Sequence, residues 1–311
     1  MRPSCWRRAQ LPLALLPLLL WLPSLPGWGA EDPRQRFFTR YQELQEDARR
    51  GPFGFPLHLH AEERQDLVRA EVHGILDHPF RTFGATLTEP ASWCEFAPLN
   101  LNIKACIFQS QTPEVILTLF IGGKGYQLPG AASLQPYRFQ VHGRQRGYVA
   151  ISLDALEGLL GTKGHHLEIE AAGVAGHTVV EFRSSYQPSA ASKLLTAIYL
   201  ATLGHDKIGF SREPGDAAGS PGYVKGEQGL IERNTMRYYL LLKAFLDTQG
   251  LPASGRFEAR LNVAYDLMER YPAQLHEMEK AEYLDTKRRE HENQIRLQQS
   301  LGPIHVRPGD L

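Results

Sequence analysis

The sequence predicts an α+β fold: an antiparallel sheet of short strands, an apolar helix that closes it, and a further helical region towards the C-terminus. Three observations predict this. Apolar residues alternate with period two in segments between Val68 and Tyr186, the pattern of half-buried strands. Glycine turns separate neighbouring segments, so consecutive strands pair antiparallel. From Ala190 onward the apolar spacing changes to three and four residues, which is helical.

Residues 31–66 hold a helix, with Phe37, Tyr41, Leu44 and Ala48 at helical spacing, and then an extended segment. Gly51-Pro52 stops the helix. Pro56 to Ala61 reads as a short strand with His58 and His60 on one face. Val68, Ala70, Val72, Gly74 and Leu76 line one face of the next strand. Pro79 and Pro90 lead two short helices, each proline suited to a first helical position. Six strands follow. Leu101, Ile103, Ala105 and Ile107 alternate on the first, and Glu114 to Ile121 is apolar on both faces, as a central strand would be. Tyr137, Phe139 and Val141 mark the third; Val149, Ile151 and Leu153 the fourth; Leu167, Ile169 and Ala171 the fifth; Val180, Phe182, Ser184 and Tyr186 the last. Ala190 to Leu203 is the closing helix, with Leu194, Leu195, Ile198 and Ala201 on its apolar face and Gly204 past its end.

This order of strand, two helices, six-strand meander and long helix resembles the helix-grip fold of the START-like superfamily, which includes polyketide cyclases and lipid-transfer proteins. The resemblance spans about Val68 to Gly204 and rests on element order, not on a residue motif. It implies a curved sheet gripping a C-terminal helix, with a cavity between them. The chain also resembles uncharacterised exported proteobacterial proteins. The expected organisation is 1–30 signal peptide, 31–66 helix and extended segment, 67–210 helix-grip domain, 211–231 Gly/Pro-rich loop, 232–300 helical region and 301–311 tail.

The first 30 residues have the layout of a secretory signal: Arg2, Arg7 and Arg8, then an apolar stretch from Leu11 to Leu25 broken by Pro12, Pro17 and Pro23, then Gly27, Gly29 and Ala30. That stretch is short and proline-broken for a membrane helix. A periplasmic or secreted protein, not integral to the membrane, is expected. The whole chain is formally neutral; without those three arginines it is mildly acidic, which excludes the basic footprint of a nucleic-acid binder. Cys94 and Cys106 remain after processing, and two cysteines in an oxidising compartment most simply form a disulfide. A redox pair or metal ligation is the alternative, and the sequence has no CxxC. No Asn-x-Ser/Thr sequon occurs, which favours a bacterial periplasm.

No catalytic motif is present: there is no G-x-S-x-G, and the GGKG at Gly122 to Gly125 joins two strands and reads as a hairpin turn. The expected function is binding of a lipid or other apolar small molecule, without a cofactor. Gly74, Ala105, Ala171, Ser184 and Ala201 are small residues on expected inward faces and would leave space. Asn102, Lys104, Phe182, Ser184, Tyr186 and Ile198 are the expected lining, with Asn102 and Lys104 pointing inward if the Cys106 face does. An enzyme on the same fold is the alternative and needs a polar pair such as Lys104 with Tyr186. A second alternative is an envelope interaction protein that docks a partner through 275–300, where a thin stripe of Leu275, Met278 and Leu284 runs along a charged helix. Lys207, Arg233 and Arg237 are candidates to hold an anionic group, the two arginines being four apart on a helix. His58, His60, Glu71, His73 and His78 contain metal-ligand types, but their spacing is that of an exposed edge strand, and no metal site is expected.

Overall fold

In the computed structural model, residues 32–50, 53–64, 66–111, 113–201, 207–212 and 222–301 are described. The expected signal peptide, the end of the closing helix near Leu203, residues 213–221 of the expected Gly/Pro-rich loop and the tail beyond Leu301 lie outside them. The residues from Pro33 onward form one compact unit.

The fold is α+β with helix-grip topology. Eight antiparallel strands form one sheet in the order β1-β2-β8-β7-β6-β5-β4-β3. They span Leu57–Arg64 (β1), Leu67–Leu76 (β2), Ile103–Gln111 (β3), Glu114–Ile121 (β4), Ser133–Gln145 (β5), Tyr148–Glu157 (β6), Lys163–Val174 (β7) and His177–Gln187 (β8). Helix α1 (Pro33–Arg50) precedes the sheet, and α2 (Phe80–Leu87) and α3 (Pro90–Phe96) join β2 to β3. After β8 come α4 (Ala190–Ala201), α5 (Gly226–Thr248), α6 (Ala253–Met268), α7 (Pro272–Leu275) and α8 (Lys280–Ser300).

Period-two alternation sorts residues between the faces as the sequence predicts. Val149, Ile151, Leu153, Ile169, Ala171, Val180 and Phe182 pack into the main core with α3 and α5. Their neighbours Tyr148, Ala150, Ala172, Val174 and Val179 face the other way and are covered by Phe37 and Leu44 of α1.

The gripped helix is α5, not the helix ending near Leu203. Met236, Tyr239, Leu240, Leu241, Leu242 and Phe245 are all fully buried, and α5 packs on β1, β2 and β8. Leu194, Leu195 and Ile198 of α4 are instead 61%, 45% and 51% exposed. Both segments carry helical patterning in the sequence, α4 through Leu194, Leu195 and Ile198 and the later one, Thr235 to Gln249, through Met236, Tyr239, Leu240, Leu242 and Leu246. α5 is nearly twice as long as α4 and concentrates large apolar side chains between Met236 and Leu246, so it gains more from burial than the shorter α4. It also starts at Gly226, inside the stretch expected to be loop.

Strand β3 resolves the ambiguity at the cysteines. Its register shifts between Ile103 and Ala105, a bulge that reverses the alternation. Ile103 and Cys106 therefore both reach the main core, while Ala105 and Ile107 join Phe120 and Leu297 on the other side. Cys106 pairs with Cys94 of α3, the Cα atoms 4.9 Å apart. β4 is apolar on both faces because Leu117 and Leu119 face the main core and Phe120 the other side; it is next to the edge strand, not central.

The segment expected as one long helix from Leu275 is split by His276–Glu279, and α8 docks on this chain's own β3. Its buried face is polar: Tyr283, Thr286, Lys287, Glu290 and Asn293. Gln294 and Gln298 act as a substitute strand. Gln294 Oε1 accepts the Cys106 amide at 2.8 Å, Gln298 Oε1 accepts the Phe108 amide at 3.1 Å, and Gln298 Nε2 donates to the Phe108 carbonyl at 3.2 Å. The open edge of the sheet is covered in this way.

Candidate functional site

A cavity of about 200 Å³ lies between α3, α5 and the inner face of β4 to β8. Each element contributes through its own periodicity. Leu117 and Leu119 stand two apart on β4, His165 and Leu167 on β7, and Phe182, Ser184 and Tyr186 on β8, all inward by alternation. Ile231, Asn234 and Tyr238 lie three and four residues apart on one face of α5. Trp93, Phe96 and Ala97 close the α3 side.

Most of the wall is apolar or aromatic. Trp93 meets Phe139 edge-on at 5.9 Å and places its indole N–H on the Leu87 carbonyl at 2.9 Å. Phe182 stacks on Tyr238 at 6.3 Å. Polar groups are few and mostly satisfied. Tyr186 Oη donates to Glu227 Oε2 at 2.8 Å, and the other Glu227 oxygen is buried without a hydrogen-bond partner. Burial, then the Glu227 charge, pushes the Tyr186 hydroxyl far above its ordinary pKa. Burial pushes Tyr238 up to about 12 and raises Tyr137 further, so these phenols stay neutral.

His165 stacks on Tyr186 at 5.5 Å and meets Tyr137 edge-on at 6.5 Å. Burial lowers its pKa, favouring neutral imidazole. Thr162 Oγ1 donates to the Leu159 carbonyl at 2.7 Å and lies 2.7 Å from His165 Nε2. A hydroxyl that has spent its proton can only accept, so Nε2 carries the imidazole hydrogen and Nδ1 keeps its lone pair. Tyr137 and His165 also border a wider groove along β4 to β7, so this aromatic pair stands between the cavity and that groove.

Of the expected lining, Phe182, Ser184 and Tyr186 are in the cavity wall. Ile198 is not, because α4 is not the gripped helix. Lys104 sits at the β3 bulge and turns to α8: Nζ donates to the Leu101 carbonyl at 2.5 Å, the Gly125 carbonyl at 2.9 Å and Glu290 Oε1 at 2.9 Å. Asn102 Nδ2 donates to the Gly122 carbonyl at 3.0 Å, tying the start of β3 to the end of β4. A Lys104–Tyr186 pair is therefore absent. Among the small residues whose side chains are described, only Ser184 opens onto the cavity. Gly74 lies directly under the Tyr239 ring, where a Cβ would sit 2.6 Å from Cζ; Ala105 faces the far side, and the Ala201 side chain is outside the described residues. His165, Asn234 and Tyr238 were missed. His165 was legible as one of two adjacent histidines on opposite faces; the α5 residues were not, since their helix had not been assigned to the grip.

On the opposite face of the sheet, Glu71, His73 and Glu181 each bring a ligand atom within 4.8 Å of the others, with His58 beside His73 at 6.3 Å. These three could hold a cation. Glu181 Oε1 already accepts from Arg183 Nη1 at 2.6 Å, while His73 Nε2 lies 3.4 Å from Glu71 Oε1 and is buried without a hydrogen-bond partner. The His73 contact, foremost, holds Glu71 down at about 2. His78 is elsewhere, 2.9 Å from Asp247.

No protein-family model matches the chain, and no curated protein sequence matches it. Similar solved structures include a STAR-related lipid transfer protein from Xanthomonas axonopodis (TM-score 0.38, 10% identity, 61% of this chain and 92% of that one). Others are a conserved protein of unknown function from Enterococcus faecalis (0.34, 10%, 75% and 98%) and human STARD10 (0.29, 9%, 57% and 78%). These overlaps are low, and the START-like resemblance rests on the strand and helix order of this chain.

Proposed function

We propose that this chain binds a small apolar molecule, an aromatic ring or short alkyl chain, in the cavity between α5 and the sheet. The observation that carries the reading is the cavity itself: about 200 Å³ walled by Trp93, Phe96, Leu117, Leu153 and Phe182, with the neutral polar groups of Tyr186, Ser184 and His165 at its β7–β8 side. A space of this size and lining suits an apolar ligand oriented by one or two hydrogen bonds. Binding without catalysis is favoured because no activated nucleophile lines the wall and the Lys104–Tyr186 pair is absent. We further propose that the protein works in the periplasm or outside the cell after removal of residues 1–30. The layout of those residues supports this, as does the Cys94–Cys106 disulfide.

Trp93 is the only tryptophan after residue 30, and it lines the cavity, so its fluorescence reports occupancy. Six buried carbons contribute about 5 kcal/mol at ~0.8 kcal/mol each, which corresponds to a dissociation constant of roughly 0.2 mM. Titration with 1-hexanol or toluene should change Trp93 emission saturably in that range. Ser184→Phe, which fills the cavity from β8, should abolish the response in a folded protein. A Ser184→Phe variant that binds like the wild type would overturn the proposal. Solvent extraction of the purified protein followed by mass spectrometry identifies a ligand carried from the cell.

A further inference from the structure

The three basic residues singled out in the sequence, Lys207, Arg233 and Arg237, converge in the structure, and Lys124 from the β4–β5 connection joins them. Glu277, between α7 and α8, is the shared counter-ion. Arg237 Nη2 lies 3.1 Å from Glu277 Oε1 and Lys207 Nζ 3.4 Å from Oε2, and Lys124 Nζ contacts Oε2 directly. Arg237 and Lys207 have further acceptors in Asn234 Oδ1 at 3.3 Å and the His276 carbonyl at 2.6 Å.

Arg233 differs from the other three. It is 3% exposed, and its Nη1 is buried with no hydrogen-bond partner. Glu232, its chain neighbour, is committed elsewhere: Oε2 accepts the backbone amides of Phe210 at 2.6 Å and Ser211 at 2.9 Å, and Oε1 accepts from Gln228 at 3.4 Å. Tyr199 of α4 lies on the same side, with Lys124 Nζ 5.8 Å from its ring centroid. Among the described residues, four cations therefore face two carboxylates, one of them already bonded to backbone. A buried guanidinium nitrogen left without an acceptor is unfavourable, and an excess of two positive charges suits a dianion better than a single carboxylate.

We propose that Arg233, Arg237, Lys207 and Lys124 form a binding site for a phosphate-type oxyanion, with the Arg233 fork as its floor. A phosphate monoester carries about −1.5 to −2 at neutral pH and presents three acceptor oxygens, which matches both the charge excess and the unfilled donor. Arg suits the buried position because its planar fork bonds two phosphate oxygens at once. The oxyanion comes either free or as the head of an amphiphile. Asn234 links the two sites physically, lining the cavity while accepting from Arg237. The site itself stands on charge and burial and does not rest on the cavity reading.

The test is calorimetric titration of the full mature chain at low salt with inorganic phosphate and, separately, with hexyl phosphate. Inorganic phosphate should bind saturably, and its affinity should fall at least tenfold in Arg233→Gln and several-fold in Lys124→Gln. Lys124 is 38% exposed on its side chain, so the second variant decides the matter should the first fail to fold. Equal affinities for the two ligands assign the site to a free oxyanion. Tighter hexyl phosphate binding that Ser184→Phe returns to the inorganic value assigns it to a headgroup. Absence of saturable phosphate binding, or undiminished binding in both charge variants, overturns the proposal. Hexanol binding alone reports on the cavity, so the two ideas fail separately.

Discussion

Replacing Glu290 by alanine tests whether α8 is an integral wall of the fold. Glu290 is 2% exposed and lies between two buried lysines: Oε1 is 2.9 Å from Lys104 Nζ and Oε2 is 2.6 Å from Lys287 Nζ. Lys287 also donates to the Asn100 and Ile103 carbonyls at 2.8 and 2.9 Å. Removing the carboxylate leaves two buried ammonium groups with only carbonyl acceptors. Breaking a buried pair in this way destabilises by about 3–5 kcal/mol, a drop in melting temperature of roughly 6–20 °C at ~2–4 °C per kcal/mol. The loss should depend on pH. Burial lowers the Lys287 pKa to about 8, and Glu290 is what holds it up even there. Without Glu290 it falls further, each additional unit adding about 1.4 kcal/mol of instability wherever the wild-type lysine is still charged. That share is full below the variant's lowered pKa, fades as pH rises towards 8 and is gone above it, where both folded proteins carry neutral Lys287. Guanidinium melts of wild type and Glu290→Ala, followed by Trp93 fluorescence at pH 6 and pH 9, measure both effects. A variant within 1 kcal/mol of wild type at pH 6 would refute the claim that this polar triad fastens α8 to β3.

Four further outcomes follow from the same structure. His166 on the outer face has its pKa raised to about 9, foremost by Glu168, with Asp154 adding to it. A raised histidine stabilises fully below its unfolded pKa of about 6.5 and loses that contribution as pH climbs to 9, so wild type should weaken across this window and His166→Gln should show a flatter profile in pH-dependent melts. Replacing Cys94 and Cys106 by alanine should lower stability by roughly 3 kcal/mol, the loop-entropy value for a short bridge; an unchanged denaturation midpoint would show that the bridge constrains little. Gly74→Ala should destabilise by roughly 1–3 kcal/mol, since the new Cβ enters the space of Tyr239. Tyr239→Phe should be neutral or mildly stabilising, because its hydroxyl is buried without a partner, and should relieve part of the Gly74→Ala loss in a double-mutant cycle.

The element order was legible because most strands obey alternation and most turns carry glycine. The faces of β2, β6, β7 and β8 follow from the same rule, which is why Phe182, Ser184 and Tyr186 were identified as cavity residues from sequence. The rule failed at β3, where one bulged residue sends Lys104 to α8 and brings Cys106 inward. It also failed for α8, whose docking residues are Lys287, Glu290, Gln294 and Gln298. A helix that caps a strand edge must supply hydrogen bonds, so its buried face is polar and leaves no hydrophobic stripe to read.

Local periodicity, which is a property of neighbouring residues, was enough to determine the antiparallel meander and the inward side of β8, while the pairing of Cys94 with Cys106 followed from the number of cysteines and the expected compartment. Which helix the sheet grips was decided only in three dimensions. α4 and α5 both satisfy helical patterning, and the choice between them depends on how much apolar surface each can bury against residues far away in the chain. The convergence of Lys124, Lys207, Arg233 and Arg237 is of the same kind: charges more than a hundred positions apart meet because the sheet and α5 fix their separation, and no pattern along the sequence encodes that distance.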